Sequence, residues 1–297
     1  VSGRGEAFKS GGRVVKNVTG YDLSKVMANS WGTLAVATDV TFKVLPTAET
    51  ETTLAVRGLL DDNAAAAMAL ALDRQAYIDI ISGGKSSIAT NMMPGPEGQW
   101  GMPVEMRSKL LGYGDVAQQQ AEARKIMESL GYGPNNRLPV KVATRDFATY
   151  KDPAVILVDQ LNKIYFDASM ELVESSIWHS RLTKKNYAVG MNTSGVGIDD
   201  PDAVLKGAYS CKSEANYTGY CTPHVEKLLD EQSQEADVEK RKKIVWEIER
   251  ILTEEVARPI LYHNRSGTCW QPHVKGFVLG ENSIYNNWRF DQVWFEK

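Results

Sequence analysis

Chemistry in this sequence would have to come from a few polar clusters. The richest is Asn192-Thr193-Ser194-Gly195-Val196-Gly197-Ile198-Asp199-Asp200-Pro201. It follows Tyr187 to Met191, which reads as a short strand. An amide, hydroxyls, bare glycine backbone and carboxylates are therefore expected at a strand's end, where a carboxylate can pair with the ammonium group of a solute. Asn192, Thr193, Ser194, Gly195, Asp199 and Asp200 are the candidate solute-binding residues. The same composition also builds a plain turn, and both readings stand. A second cluster is Lys16-Asn17-Val18-Thr19-Gly20-Tyr21-Asp22-Leu23 with Ser30-Trp31-Gly32-Thr33-Leu34. Glycines beside hydroxyls ahead of a strand let backbone approach a phosphate or sugar closely, or simply close tight turns.

Other chemistries find less support. His179, His224, His263 and His273 form no i, i+4 pair, so no metal site is expected. No Ser sits in a G-x-S-x-G elbow, and Gly3-Arg4-Gly5 lacks the third glycine of a dinucleotide fingerprint. No catalytic residue is expected. Cys211 and Cys221 lie in a loop rich in Gly, Tyr and Asn. They read either as a disulfide of an oxidising compartment or as two free thiols. Cys269 beside Trp270 is expected as a packed core thiol, and Trp270, Trp288 and Trp294 are expected to fill a core. Glu239-Lys240-Arg241-Lys242-Lys243 reads as a solvated helix face.

The elements that must position these residues fit a soluble globular chain. Of 297 residues, 43% are hydrophobic and 24% charged, and 34 basic against 37 acidic side chains leave a formal charge of −3. Such a balance gives no electrostatic reason to expect nucleic acid as a partner. The longest apolar run, Ala64 to Leu72, is far short of the roughly 20 residues that span a bilayer. The chain opens Val1-Ser2-Gly3-Arg4-Gly5-Glu6, without the basic-then-apolar pattern of a signal peptide.

Thr33 to Val44 alternates as a half-buried strand, Thr52 to Arg57 reads as another, and a short helix is expected between Asp22 and Ala28. From Asp61 the texture changes. Ala64 to Arg74 is a strong helix former. Val116 to Leu130 reads as a helix capped by Asp115 and closed by Gly131. Leu138 to Ala143 reads as a strand. Asp152-Pro153 is expected to start a helix reaching about Tyr165, with Pro in its first turn. Ser169 to Val173 is a further strand. Thr222-Pro223 starts another helix, Asp237 caps a long one through Glu255, and Pro259 to His263 closes as a strand. Helices mixed with strands in this order predict an α/β or α+β architecture.

Two resemblances sharpen the reading. The run from Gly3-Arg4-Gly5 through Arg13-Val14-Val15-Lys16-Asn17-Val18-Thr19-Gly20-Tyr21-Asp22-Leu23-Ser24-Lys25, with Gly32-Thr33-Leu34 and Leu45-Pro46, is similar to the FAD-binding subunit of bacterial glycolate oxidase. That resemblance implies FAD along Gly20, Tyr21, Asp22, Ser30, Gly32 and Thr33. It covers residues 1–63, half of a cradle, so FAD is not expected to be retained. Residues from about Met68 onward resemble family 5 of the bacterial extracellular solute-binding proteins. Leu70-Ala71-Leu72-Asp73-Arg74, Asp199-Asp200-Pro201-Asp202, Tyr217-Thr218-Gly219-Tyr220-Cys221, Arg241-Lys242-Lys243 and Val274-Lys275-Gly276 carry the likeness. This second resemblance implies a periplasmic receptor that delivers a small solute to an ABC permease, with no cofactor. Peptide binders of this family carry an acid where Gly197 falls and a Trp in the zone of Thr193 and Ser194, which leaves peptides, opines and sugars all open as solutes.

The expected organisation is thus residues 1–63 as a partial FAD-binding α+β segment and 64–297 as an incomplete periplasmic-binding-protein-like lobe. The join falls in the Ala64-Ala65-Ala66-Ala67 run, as in a chimera of two partial sequences. The principal function expected is solute binding. The alternatives are a flavin-dependent oxidoreductase subunit, which would be cytoplasmic, and a chimera that does neither.

Overall fold

The alanine-rich stretch folds as two helices, not one. In the computed structural model, which describes residues 62–90, 93, 98–194, 198–264, 269–278 and 290–296, α1 spans Asp62–Ala71 and α2 spans Arg74–Ser82. The break has a local cause. Asp73 adopts extended backbone and its carboxylate accepts from the Ala76 N–H, so it caps α2 and cannot continue α1. The side chain of Gln160, 2% exposed, fills the gap: its Nε2 donates to the Asp73 carbonyl at 3.0 Å and its Oε1 accepts from the Asp73 N–H at 3.1 Å. One distant amide thereby satisfies both peptide groups of Asp73.

After α2 come β1 (Ser87–Ile88), α3 (Val104–Arg107) and α4 (Val116–Ser129). As expected, Asp115 caps α4 by accepting from the Gln118 N–H, and Gly131 follows it at φ +86°. Helix α1, buried at Ala64, Ala67, Met68, Ala69, Leu70 and Ala71, packs along α4. Strand β2 (Leu138–Arg145), helix α5 (Ala148–Asn162) and strand β3 (Phe166–Val173) form a β-α-β unit. Strands β2 and β3 run parallel over their whole length, from Leu138↔Phe166 to Arg145↔Val173. Helix α6 (Ser175–Thr183) leads to β4 (Val189–Gly190), which lies parallel on the other side of β2. The sheet order is β3-β2-β4. Val140, Val142, Leu157, Leu161, Ile164 and Phe166 close its core with α1 and α4.

Helix α5 begins earlier than Asp152-Pro153 suggests. It starts at Ala148, and Pro153 lies inside it, where it has no N–H to donate to the Thr149 carbonyl. Its first turn is held instead by the wholly buried Thr144, whose hydroxyl is 3.2 Å from the Tyr150 carbonyl.

A second core gathers Trp100, Val204, Leu205, Tyr209, Val225, Leu229, Val245, Ile248 and Leu252. It lies against α7 (Pro223–Gln234) and α8 (Val238–Glu254). Thr222 and Asp237 cap these helices as expected, accepting from the N–H groups of Val225 and Lys240. Strand β5 (Tyr262–His263) returns antiparallel to β1, and β6 (Val274–Lys275) pairs with β7 (Trp294–Phe295). The expected packing of the last aromatics is corrected here. Trp270 is 45% and Trp294 54% exposed, and Cys269 is an exposed free thiol. Two-residue strands offer too little covering surface to enclose an indole. Trp288 lies outside the described residues.

All described residues belong to one unit, Val56–Lys297; the preceding unit, Val1–Ala55, lies outside them. The helix at Asp22–Ala28 and the strands at Thr33–Val44 and Thr52–Arg57 therefore fall outside the described residues, as do Gly20, Tyr21, Asp22, Ser30, Gly32 and Thr33. No helix among the described residues is long and apolar enough to cross a membrane.

Two tests follow from this packing. Gln160→Met should lower the unfolding free energy in urea by about 2–4 kcal/mol, because two peptide groups lose their partners. The second concerns pH. Burial, then the nearby charge of Arg107, lowers His263 to about 4, and its Nε2 is buried without a hydrogen-bond partner among the described residues. The unfolded chain takes up that proton near the ordinary value of about 6.5. Acid therefore favours unfolding, and stability should fall as pH drops from about 6.5 toward 4. His263→Leu should flatten that slope in a pH series of urea midpoints.

Candidate functional site

The candidate site lies at the carboxyl ends of the parallel strands, where open α/β sheets generally present ligand-binding groups. Arg145 is the last residue of β2. Its guanidinium lies over the Tyr150 ring, 3.8 Å from the centroid, and also donates to the Tyr150 hydroxyl. Its Nε is buried with no hydrogen-bond partner among the described residues. The Thr193 hydroxyl donates to the Tyr150 hydroxyl at 3.0 Å. Asn192, on the exposed side, accepts through Oδ1 from the Nε1 of the fully buried Trp178 at 2.9 Å. Trp178 belongs to a third small core with Ala143, Val173 and Leu182. The Thr144 hydroxyl is 3.2 Å from the Met191 carbonyl as well as from that of Tyr150. The end of β2, the first turn of α5 and the segment after β4 thus set one cation, one phenol, one hydroxyl and one amide along a single edge.

The expected carboxylates go elsewhere. Asp200 is joined to Arg241 by two charge-assisted hydrogen bonds of 2.8 and 2.9 Å and accepts from the Asp202 N–H at 2.8 Å. Burial pushes its pKa up. The hydrogen bonds from Arg241 and the Asp202 N–H, with the Arg241 charge, outweigh that and hold it below the ordinary carboxylate value. Its charge is thereby matched within the chain. Asp199 accepts from the Gln99 N–H through Oδ2 at 3.2 Å, and its carbonyl accepts from Trp100 Nε1 at 3.0 Å. Ser194 is exposed beside Thr193, and Gly195 falls outside the described residues. The structure therefore gathers Asn192 and Thr193 with Arg145 and Tyr150, and ties Asp199 and Asp200 to a separate network.

Two residues went unread in the sequence. Arg145 lies two positions past the expected end of its strand; a basic residue closing a parallel strand was the available signal. Arg241 belongs to the run expected as a solvated face, yet its side chain is 16% exposed. Cys211 and Cys221 are joined by a disulfide, Cα–Cα 4.9 Å. The loop between them closes around Asn216, 3% exposed, which donates to the Ser210 and Tyr220 carbonyls at 3.1 and 2.7 Å. Among the described residues there is no group of three or more His, Cys, Asp or Glu able to hold a metal ion.

Residues 29–216 match the profile described as "Bacterial extracellular solute-binding proteins, family 5 Middle", and the chain belongs to this family. The fold is that of a periplasmic-binding-protein-like lobe. The Escherichia coli murein tripeptide binding protein MppA superposes with a TM-score of 0.68 at 17% identity, over 80% of this chain and 45% of that one. Haemophilus influenzae OppA in complex with RPPGFSPFR gives 0.67 at 20%, over 80% and 46%. Helicobacter pylori DppA in complex with the peptide STSA gives 0.62 at 20%, over 80% and 44%. This chain thus spans less than half the length of these solved structures. The N-terminal segment is similar to glycolate oxidase subunits. It is 50% identical over 46 residues to GlcE of Escherichia coli strain K12, covering 16% of this chain and 13% of that protein. It is 39% identical over 54 residues to GlcD of Bacillus subtilis strain 168, covering 18% and 12%. The family match begins at residue 29, upstream of the Ala64 boundary expected from the sequence.

The Trp178–Asn192 bond fixes the edge and is open to measurement. Trp178→Phe and Asn192→Ala, singly and together, should give a coupling energy of about 1 kcal/mol in a double-mutant cycle of urea unfolding.

Proposed function

We propose that this chain is the solute-recognising part of a periplasmic receptor of an ABC importer, taking up peptides or other small polar solutes. It closes a cleft over the solute and passes it to a permease in the inner membrane, without bond chemistry. The observation that carries this reading is Arg145, a cation at the carboxyl end of a parallel strand with a buried, unpartnered Nε and no carboxylate within ion-pair distance among the described residues. A guanidinium so placed suits the carboxylate of a solute, which it can grip through two parallel hydrogen bonds. Asn192, Thr193, Ser194 and Gly195 form the polar strip beside it. Asp199, half-exposed at the far end of that strip, is the carboxylate placed to meet a solute ammonium group. Opines and sugars stay within the solute class through the same hydroxyls and amide. Family membership and the peptide-bound relatives support the reading.

Residues 1–63 are, on this reading, a flavoprotein fragment carried into a receptor, and 64–297 the receptor portion, as in a chimera. A second reading is favoured by the 50% identity to GlcE over 46 residues: the chain holds FAD along Gly20, Tyr21, Asp22, Ser30, Gly32 and Thr33 and serves a cytoplasmic oxidoreductase. A visible absorbance spectrum separates the two, since bound flavin colours the protein yellow. Thermal-shift titration of the colourless chain with short peptides, opines and sugars should then give a rise in melting temperature for at least one class. For a carboxylate-bearing solute, Arg145→Gln should weaken binding by about tenfold or more, the loss of one charge-assisted contact. Flavin absorbance retained through gel filtration would reverse the ranking.

A further inference from the structure

We propose that Arg241 is the positioning residue of the solute edge: from α8 it fixes the shape of the Asp199–Asp200 segment that follows the Asn192–Ser194 strip. This rests on the solute-binding reading above and adds a residue that touches no solute. Four hydrogen bonds and one aromatic face hold the guanidinium. Nη1 and Nη2 donate to Asp200 Oδ2 and Oδ1 at 2.9 and 2.8 Å. Nε and Nη2 donate to Gln232 Oε1 at 3.1 and 3.0 Å. The plane lies over Trp100, 4.8 Å from the ring centroid. Trp100 in turn donates through Nε1 to the Asp199 carbonyl at 3.0 Å, and its own carbonyl accepts from Trp246 Nε1 at 3.0 Å. One cation therefore grips Asp200 directly and Asp199 through the indole beneath it.

The closing of this network explains why it needs arginine. Gln232 Nε2 donates to Asp202 Oδ1 at 2.7 Å, and the Asp202 N–H donates to Asp200 Oδ1 at 2.8 Å. Arg241, Gln232, Asp202 and Asp200 thus form a ring of hydrogen bonds around Pro201. A lysine ammonium can replace the charge but not the two bonds to Asp200 together with the guanidinium contact over the Trp100 ring. The remaining basic residues of the run do not share this position: Lys242, for one, pairs with Glu239 on its own helix at 2.9 Å.

The test uses the whole chain with Arg241→Lys and Arg241→Gln. Hydrogen–deuterium exchange is followed at the amides of Gln99, Asp200 and Asp202, which are bonded to Asp199 Oδ2, the Ile198 carbonyl and Asp200 Oδ1. Trialanine serves as the solute probe by thermal shift and calorimetry. Both variants should speed exchange at these amides by about tenfold or more while β2 and β3 keep their protection. The Trp100 indole resonance should move, and trialanine affinity should fall by about tenfold even where the lysine variant keeps its melting temperature. Unchanged exchange at those amides overturns the proposal. So does a uniform rise across the unit that lysine rescues, and so does equal trialanine affinity in wild type and Arg241→Lys. Faster local exchange with no trialanine response in any form, wild type included, counts against the peptide-receptor reading and leaves the positioning role supported.

Discussion

The hydroxyl of Thr144, wholly buried, sits 3.2 Å from two carbonyls, that of Tyr150 at the start of α5 and that of Met191 just past β4. A hydroxyl has one proton to donate, so it serves the two acceptors in turn or shares its proton between them. Either way, the end of β2, the entry of α5 and the exit of β4 are pinned to one atom. Arg145, Tyr150, Asn192 and Thr193 all lie within two residues of the pinned positions, apart from Tyr150 itself, which is one of them. The site is thus an outcome of strand order. Because β2 is central in β3-β2-β4, its carboxyl end is flanked on both sides, and side chains from three segments converge there.

The second constraint is the passage between the two large cores. The chain leaves the sheet at Met191 and enters the core of α7 and α8 at Val204 and Leu205. Between these points its carboxylates could draw water inward, and burying one without a partner would be costly. Asp200 escapes that cost through Arg241, Asp199 through the Gln99 N–H, and Asp202 through Gln232. The connection that looked like an open, ligand-facing acidic strip is therefore a matched junction along part of its length. Charge matching of this kind is what lets a polar segment lie against an apolar core while keeping one conformation.

Legibility in the sequence tracked the range of the interaction responsible. Asp115, Thr222 and Asp237 are readable as caps because a cap oxygen and the N–H that donates to it are three residues apart. The break at Asp73 was not, because its completion comes from Gln160, 87 positions away. Pro153 suggested a helix start by local rule, but Thr144 anchors the helix one turn sooner. The Arg241 run looked solvated because its pattern of charge is local, whereas its partner Asp200 is 41 positions off. Cys269, Trp270 and Trp294 were assigned to a core by residue type alone, and type does not supply the elements needed to cover them. Family membership is legible through separated motifs, Asp199-Asp200-Pro201-Asp202 and Arg241-Lys242-Lys243 among them, whose mutual contact the sequence does not show. The solute edge was legible only in its polar strip, since the cation facing that strip comes from another strand.

The electrostatics of the edge narrow what the proposed receptor can recognise. Arg145 brings a positive charge that no described carboxylate matches, while Asp200 brings a negative charge already matched by Arg241. Asp199, the other carboxylate of the strip, accepts from the Gln99 N–H through Oδ2. On the proposed reading, a solute carboxylate would supply the partner that the Arg145 Nε lacks among the described residues. A neutral solute such as a sugar would meet the guanidinium through hydroxyl oxygens alone, a weaker partner than a carboxylate. The position that carries an acid in the peptide binders the sequence resembles is Gly197 here, and the proposed reading gives that role to Asp199, on the segment that Arg241 holds from α8 through Asp200.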